Sequence, residues 1–339
     1  MYKQEEVTFR NADVILAGTL TIPKKSGRHP AVILLPGSGP VNRDEEAFGW
    51  KPFRIISDYF TQNGTVVLRY DSRGVGGSTG DVYQSTFNDF AGDAIAAVQY
   101  LKRRKDINPD QIGLCGHSQG GIVAPIVASR SDDVAFIICV AGAGITGEEC
   151  FITQFGMIDR LDGATDEDIE KLTDMRKQLF NLIRKDASET EIKPLLMKIA
   201  QTQTEIQEIN EDKKREETLE SLEEKLNCML TLFNSPWGRF FLDYDPQAAL
   251  EKIKCPVLLI FGEMDMQVLL EENKGAMVSA LMKSGNSDFT VKTFPKANHL
   301  FQMAKSGHPS EYTELPKKYV PGFLEFMSDW ILQHVDQVR

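Results

Sequence analysis

Hydrophobic and polar positions follow two rhythms along this chain, and the rhythm changes in the middle. Residues 5–11 (EEVTFRN) and 14–23 (VILAGTLTIP) alternate apolar with polar, the pattern of half-buried strands, and Pro23 ends the second. Residues 29–40 (HPAVILLPGSGP) open with a continuous apolar run that stops at Gly37, which suits a strand buried on both faces. FRIISDYFTQNG predicts a helix closed by Gly64, and TVVLRYDSRGVGGSTG a buried strand running into a glycine-rich turn. FNDFAGDAIAAVQYLKRR predicts an amphipathic helix with cations in its last turn, where they complement the helix dipole. QIGLCG predicts a short strand, QGGIVAPIVASR a helix and VAFIICVAGAG the next strand. Alternation of this kind implies right-handed crossovers and a mainly parallel sheet with helices on both faces.

The rhythm breaks after about Gly147. Residues 165–227 contain no glycine and a single proline, with 17 acidic against 11 basic residues. Leu172, Leu179, Leu182 and Ile183 recur at helical spacing, as do Leu219, Leu222 and Leu226. Solvated amphipathic helices and an inserted helical cap are compatible readings, and the cap also explains the interruption. The β/α alternation then returns with CPVLLIFGEMD (strand), LLEENKGAMVSALMK (helix), DFTVKTFPKANH (strand) and VPGFLEFMSDWILQHV (helix). The expected organisation is a core of residues 1–146 and 238–339, with a helical cap of 147–237 inserted after the sixth strand.

Composition narrows the function classes. The 339 residues are 42% hydrophobic and 26% charged, ordinary for a soluble globular protein with a sizeable core. The net charge is −11 with no basic cluster, so nucleic acids and anionic membrane surfaces are poor partners. No apolar run is long enough to span a bilayer. The N-terminus lacks the basic-then-apolar layout of a signal peptide, so a cytoplasmic location is expected unless a leader was removed. Five cysteines (Cys115, Cys139, Cys150, Cys228, Cys255) show no metal-ligand spacing and read as small buried hydrophobes. No metal or cofactor is expected, and the oligomeric state is open, a homodimer included.

The candidate chemistry centres on Gly116-His117-Ser118-Gln119-Gly120, a G-x-S-x-G sequence between a strand and a helix. A nucleophilic serine there sits on a strained turn, so its neighbours must lack bulk. A serine hydroxyl also needs a base. His29 precedes a strand, His117 lies inside the elbow and His334 in the last helix. His299, just past the last strand, is preferred over His308, because ligands gather at the carboxyl edge of open α/β sheets. Asp265, past the end of another strand, is the acid expected to orient it, with Glu263 as competitor. For the oxyanion, the N–H of Gln119 is one expected donor. Ser38 supplies the other, with Gly39 as second choice. Arg69, Asp71 and Arg73 read as braces for the turn after the fourth strand. Arg43 and Asp44 brace the oxyanion loop, or else Arg43 meets an anionic substrate group. Gly142 and Gly144 are expected to keep a pocket floor open. Trp237, Phe240 and Phe241 either line an acyl pocket or pack the cap.

Four stretches, LLPGSGPVNRDE, RYDSRGVGGS, GLCGHSQGG and FGEMDMQV with ANHLF, together resemble the α/β-hydrolase superfamily of serine hydrolases. Among them, the chain is similar to bacterial esterases and acyl hydrolases of the dienelactone-hydrolase-like and acyl-CoA-thioesterase-like type. It departs from many members in having Pro36 at the position of a histidine, and Gln119 where close relatives often have glutamate. The resemblance implies a cofactor-independent serine hydrolase acting on small carboxylic esters. The triad would be Ser118, Asp265 and His299, and the cap would favour short to medium acyl groups. Acyl thioesters and peptides are the alternative substrates on the same triad, and a non-catalytic binding protein on the same scaffold is the alternative from another class.

Overall fold

A computed structural model describes residues 2–206, 224 and 230–336. Two compact units emerge, residues 1–145 with 245–339, and residues 146–244.

The first unit is built on one eight-stranded sheet in the order β1-β2-β4-β3-β5-β6-β7-β8. Its strands are β1 (Lys3–Asn11), β2 (Val14–Ile22), β3 (His29–Leu35), β4 (Val66–Tyr70), β5 (Ile107–His117), β6 (Phe136–Val140), β7 (Val257–Gly262) and β8 (Phe289–Phe294). The β1–β2 hairpin joins the sheet antiparallel through β2 and β4, and every pair from β4 to β8 is parallel. Strands β4, β6 and β7 are buried along their whole length, Arg69 of β4 included, as strands of a sheet covered on both faces are. The strand read from QIGLCG is longer than expected. It starts at Ile107, which pairs with His29 across an irregularity in register that polar Asn108 and Asp110 disguise in the sequence.

The helices of this unit are α1 (Pro52–Gln62), α2 (Phe87–Lys102) and α3 (Gln119–Ala128) before the insertion. The insertion holds α4 (Gly147–Leu161), α5 (Asp166–Arg184), α6 (Glu189–Ile206) and α7 (Pro236–Asp243), and the sheet unit resumes with α8 (Gln247–Leu250), α9 (Leu270–Lys283) and α10 (Phe323–Asp336). No helix among the described residues is long and apolar enough to cross a membrane.

The insertion has its own core. Leu172, Leu179, Phe180 and Ile183 of α5 meet Ile192, Leu196 and Ile199 of α6, with Phe233 and Leu242. Leu182 packs against this cluster half-buried, whereas Leu219, Leu222 and Leu226 lie outside the described residues. Thr146 and Thr165 start α4 and α5 with reciprocal capping boxes to Glu149 and Asp168. The insertion ends at Tyr244 rather than at 237, because α7 belongs to this core. Leu242 is in the cluster, and Phe241 meets Phe151 of α4 edge to face at 4.9 Å.

Cys115, Cys139 and Cys255 are unpaired thiols, and Cys150 is buried, while Cys228 lies outside the described residues. Burial pushes the Cys115 and Cys255 thiols up to about 12, which keeps them protonated and unreactive near neutral pH.

Candidate active site

The carboxyl ends of β3, β5, β7 and β8 carry the expected site residues on four separate loops. Ser118 joins β5 to α3 with φ 53° and ψ −115°, a conformation that costs a non-glycine residue on the order of 1–3 kcal/mol. Hydrogen bonds hold the turn. Ser118 N–H donates to Val140 O at 2.9 Å, and Gly121 N–H donates to Ser118 O at 2.9 Å. The glycines are required by contact. A Cβ on Gly116 would lie 1.9 Å from Gly120 O, and one on Gly120 would lie 2.1 Å from Leu35 O. Both obstacles are backbone and cannot swing away. Gly116→Ala is therefore expected to cost at least about 3 kcal/mol, read as a lowered midpoint in urea unfolding. An unchanged midpoint would show that the elbow can relax.

His299 follows β8 and is buried, as is Asp265 after β7. His299 Nδ1 lies 2.8 Å from Asp265 Oδ2. The other carboxylate oxygen accepts the N–H groups of Gln267 at 2.8 Å and Val268 at 3.0 Å, so the loop fixes the carboxylate before it meets the ring. Glu263 turns elsewhere, accepting the Lys296 N–H at 2.8 Å. The remaining histidines have other surroundings. His29 bonds Lys25 O, His308 bonds Ser310, and His334 bonds Trp330 O.

The loop after β3 lies against the elbow. A Cβ on Gly37 would sit 3.6 Å from Ser118 Cβ. Ser38 is exposed, and its N–H has no protein acceptor among the described residues. Gly39 takes φ 91°, a conformation that favours glycine. Gln119 opens α3, so its N–H belongs to the helix's first turn, where intrahelical acceptors are lacking.

Charged side chains brace this loop. Arg43 grips Asp71 with Nε at 3.1 Å and Nη2 at 2.7 Å, and its Nη1 reaches Glu6 and Thr19. Every arm of its guanidinium is thus occupied, which favours the bracing role over contact with an anionic substrate. Burial alone would raise the Asp71 carboxyl, but the Arg43 guanidinium and N–H hold it below the usual range. Buried Arg69 donates to Asp44 at 2.8 Å, and Arg73 holds Asp93 with both nitrogens at 2.7 and 2.8 Å.

A Cβ on Gly142 would meet the Gly121 backbone at 2.9 Å, and one on Gly144 would meet Met277 and Asn273 of α9 within 2.6 Å. Close packing of strand end on helix therefore calls for glycine at both positions. Within the insertion, Trp237 stacks on Phe241 at 5.4 Å, and Phe240 on Tyr244 at 5.4 Å. A shallow recess lies beside Gln119, lined by Leu35, Pro36, Tyr70, Arg73, Phe90 and Asp93.

One buried group escaped the sequence reading. Glu45 accepts the Gly37 N–H at 2.7 Å, and the same oxygen lies 3.0 Å from His117 Nδ1. His117 Nε2 lies 2.9 Å from the carbonyl oxygen of His299. The acidic run after the oxyanion loop and the histidine inside the elbow were visible, but nothing local joins positions 45 and 117.

A serine on a strained strand-to-helix turn, with a buried Asp–His pair at the same edge of a mostly parallel sheet, defines the α/β-hydrolase superfamily, and this chain is a member. Residues 52–304 match the family described as serine aminopeptidase, S33, and the chain belongs to that family. The chain is 26% identical over 302 residues to the esterase EstD of Thermotoga maritima. That match covers 88% of this chain but spans only 60% of EstD. Solved structures share the fold, among them the Pyrococcus furiosus esterase Pf2001 (TM-score 0.59, 15% identity, covering 99% of this chain and 91% of that one). Another is the proline iminopeptidase of Mycobacterium smegmatis (TM-score 0.59, 16% identity, covering 99% and 100%).

Proposed function

We propose that this protein is a serine esterase that cleaves small carboxylic esters through an acyl-enzyme. The observation that carries the reading is the buried 2.8 Å Asp265–His299 contact, placed at the same sheet edge as a serine held at φ 53°. In this reading Ser118 Oγ attacks the acyl carbonyl and gives its proton to His299 Nε2, while Asp265 accepts from Nδ1–H and stabilises the imidazolium. The developing oxyanion accepts from the N–H groups of Gln119 and Ser38, or of Gly39 in place of Ser38. His299 then protonates the leaving alkoxide. Water repeats the sequence on the acyl-enzyme, regenerating Ser118 and releasing the acid.

The similarity to EstD supports an ester substrate over a peptide, and we take the acyl group to be short to medium. Initial rates on p-nitrophenyl esters of rising acyl length, run beside acyl-CoA thioesters and amino-acid anilides, test this. The expected result is fastest turnover on short esters. Preference for the thioesters or anilides would overturn the ester assignment. Rates that stay flat into long acyl chains would remove the acyl-length limit.

A further inference from the structure

We infer that Glu45 and His117 form a buried carboxylate–imidazolium pair that positions the oxyanion loop and the catalytic histidine's loop around Ser118. The pair rests on the esterase reading for its consequence, and on the following geometry for its existence.

Each ring nitrogen of His117 faces an oxygen, the Glu45 carboxylate at Nδ1 and the His299 carbonyl at Nε2. A carbonyl oxygen only accepts, so Nε2 must carry a hydrogen. The carboxylate oxygen at Nδ1 already accepts the Gly37 N–H at 2.7 Å, the short length of a charge-assisted bond, so it acts as an acceptor there too. Two acceptors require two ring hydrogens, and a histidine with both is a cation. Burial agrees. Glu45 is only 6% exposed, and no Lys or Arg among the described residues pairs with it. The cavity that Glu45 and His117 share is otherwise lined by Phe53, Ile56, Cys115, Phe301 and Tyr319, none of which offers a counter-charge. A carboxylate so enclosed needs a cation, and His117 is the one within reach.

The other titratable groups facing His117 are Asp265 and the His299 ring, whose centroid is 4.8 Å away. Burial by itself lowers the His117 pKa, but Glu45, the His299 carbonyl and Asp265 outweigh it, and the net direction is upward. A raised histidine contributes stability that is complete below its unfolded value of about 6.5 and is lost as pH rises through the folded value. When the proton leaves, one of the two contacts becomes oxygen against a lone pair. Gly37 beside Ser38, or the His299 backbone, is then released. Glu45 and His117 are therefore positioning residues, acting on the oxyanion donor and the base without touching substrate.

The test is nitrogen NMR of histidine-ring-labelled protein without substrate, assigned by loss of the His117 signals in His117→Gln. Both His117 ring nitrogens should read as protonated at pH 7.5, above the usual histidine value. One bare ring nitrogen there would overturn the charged pair. Glu45→Gln should return the ring to a neutral form at pH 7.5. It should also lower kcat by about 10²-fold with little change in KM, and move the alkaline limb of the rate profile to lower pH. An unchanged profile and kcat in a folded Glu45→Gln protein would overturn the positioning role. Fluorophosphonate labelling of the same samples keeps the two readings apart. A bare ring nitrogen in a protein whose Ser118 is labelled refutes the pair and leaves the esterase reading. A doubly protonated ring in an unlabelled protein supports the pair and refutes the esterase reading.

Discussion

Ser118→Ala is expected to reduce ester turnover by about 10⁶-fold and to abolish labelling by a fluorophosphonate. The change removes only Oγ. The strained backbone at φ 53° stays, since Ser118 N–H and O hold it through Val140 and Gly121. Stability should therefore change by less than about 0.5 kcal/mol, and melting beside the rate measurement separates lost chemistry from lost fold. Turnover within tenfold of the native protein, at unchanged stability, would mean that another group attacks the ester and would end the serine-hydrolase reading.

Asp265→Asn carries the second-largest expected effect, a loss of about 10⁴-fold in kcat with KM close to native. The reason is directional. The backbone N–H groups of Gln267 and Val268 both point at one oxygen of residue 265. An asparagine must leave its carbonyl oxygen there, because its amide group would face two donors. Its NH₂ then takes the place of Oδ2, 2.8 Å from His299 Nδ1. A donor at that point demands a bare Nδ1, so the hydrogen moves to Nε2, the nitrogen that should take the Ser118 proton. The ring is held in the wrong tautomer with little change in shape. A loss below tenfold would show that Asp265 does not set the tautomer. Ring-nitrogen NMR of the variant reads the switch directly, as a protonated Nε2 and a bare Nδ1.

The positions that braced the site in the sequence reading act through geometry that no spacing specifies. Arg43, Arg69 and Arg73 are read as braces from their glycine-rich, charged context, and each finds a carboxylate in the fold. Gly142 is a further case. A glycine past a strand end reads as an open pocket floor, and the approach of the Gly121 backbone adds a packing demand for glycine that no spacing reveals.

The order of strands and helices was determined by the sequence alone, because their periods are local. Continuous apolar runs and a 3.6-residue rhythm depend on neighbours within a dozen positions. The strand–Gly-x-Ser-x-Gly–helix turn was legible for the same reason. Its glycines and its serine fall within five residues, so the motif is written in one stretch. The end of the insertion was not legible. The α7 helix is assigned to it by Phe241 and Leu242 meeting residues of α4 and its core, contacts that span dozens of positions. The same holds for Glu45 and His117, 72 residues apart in sequence and 3.0 Å apart in space. Sequence shows which groups can donate and accept. Only the folded chain decides that two acceptors face one imidazole, and thus where a proton must stay.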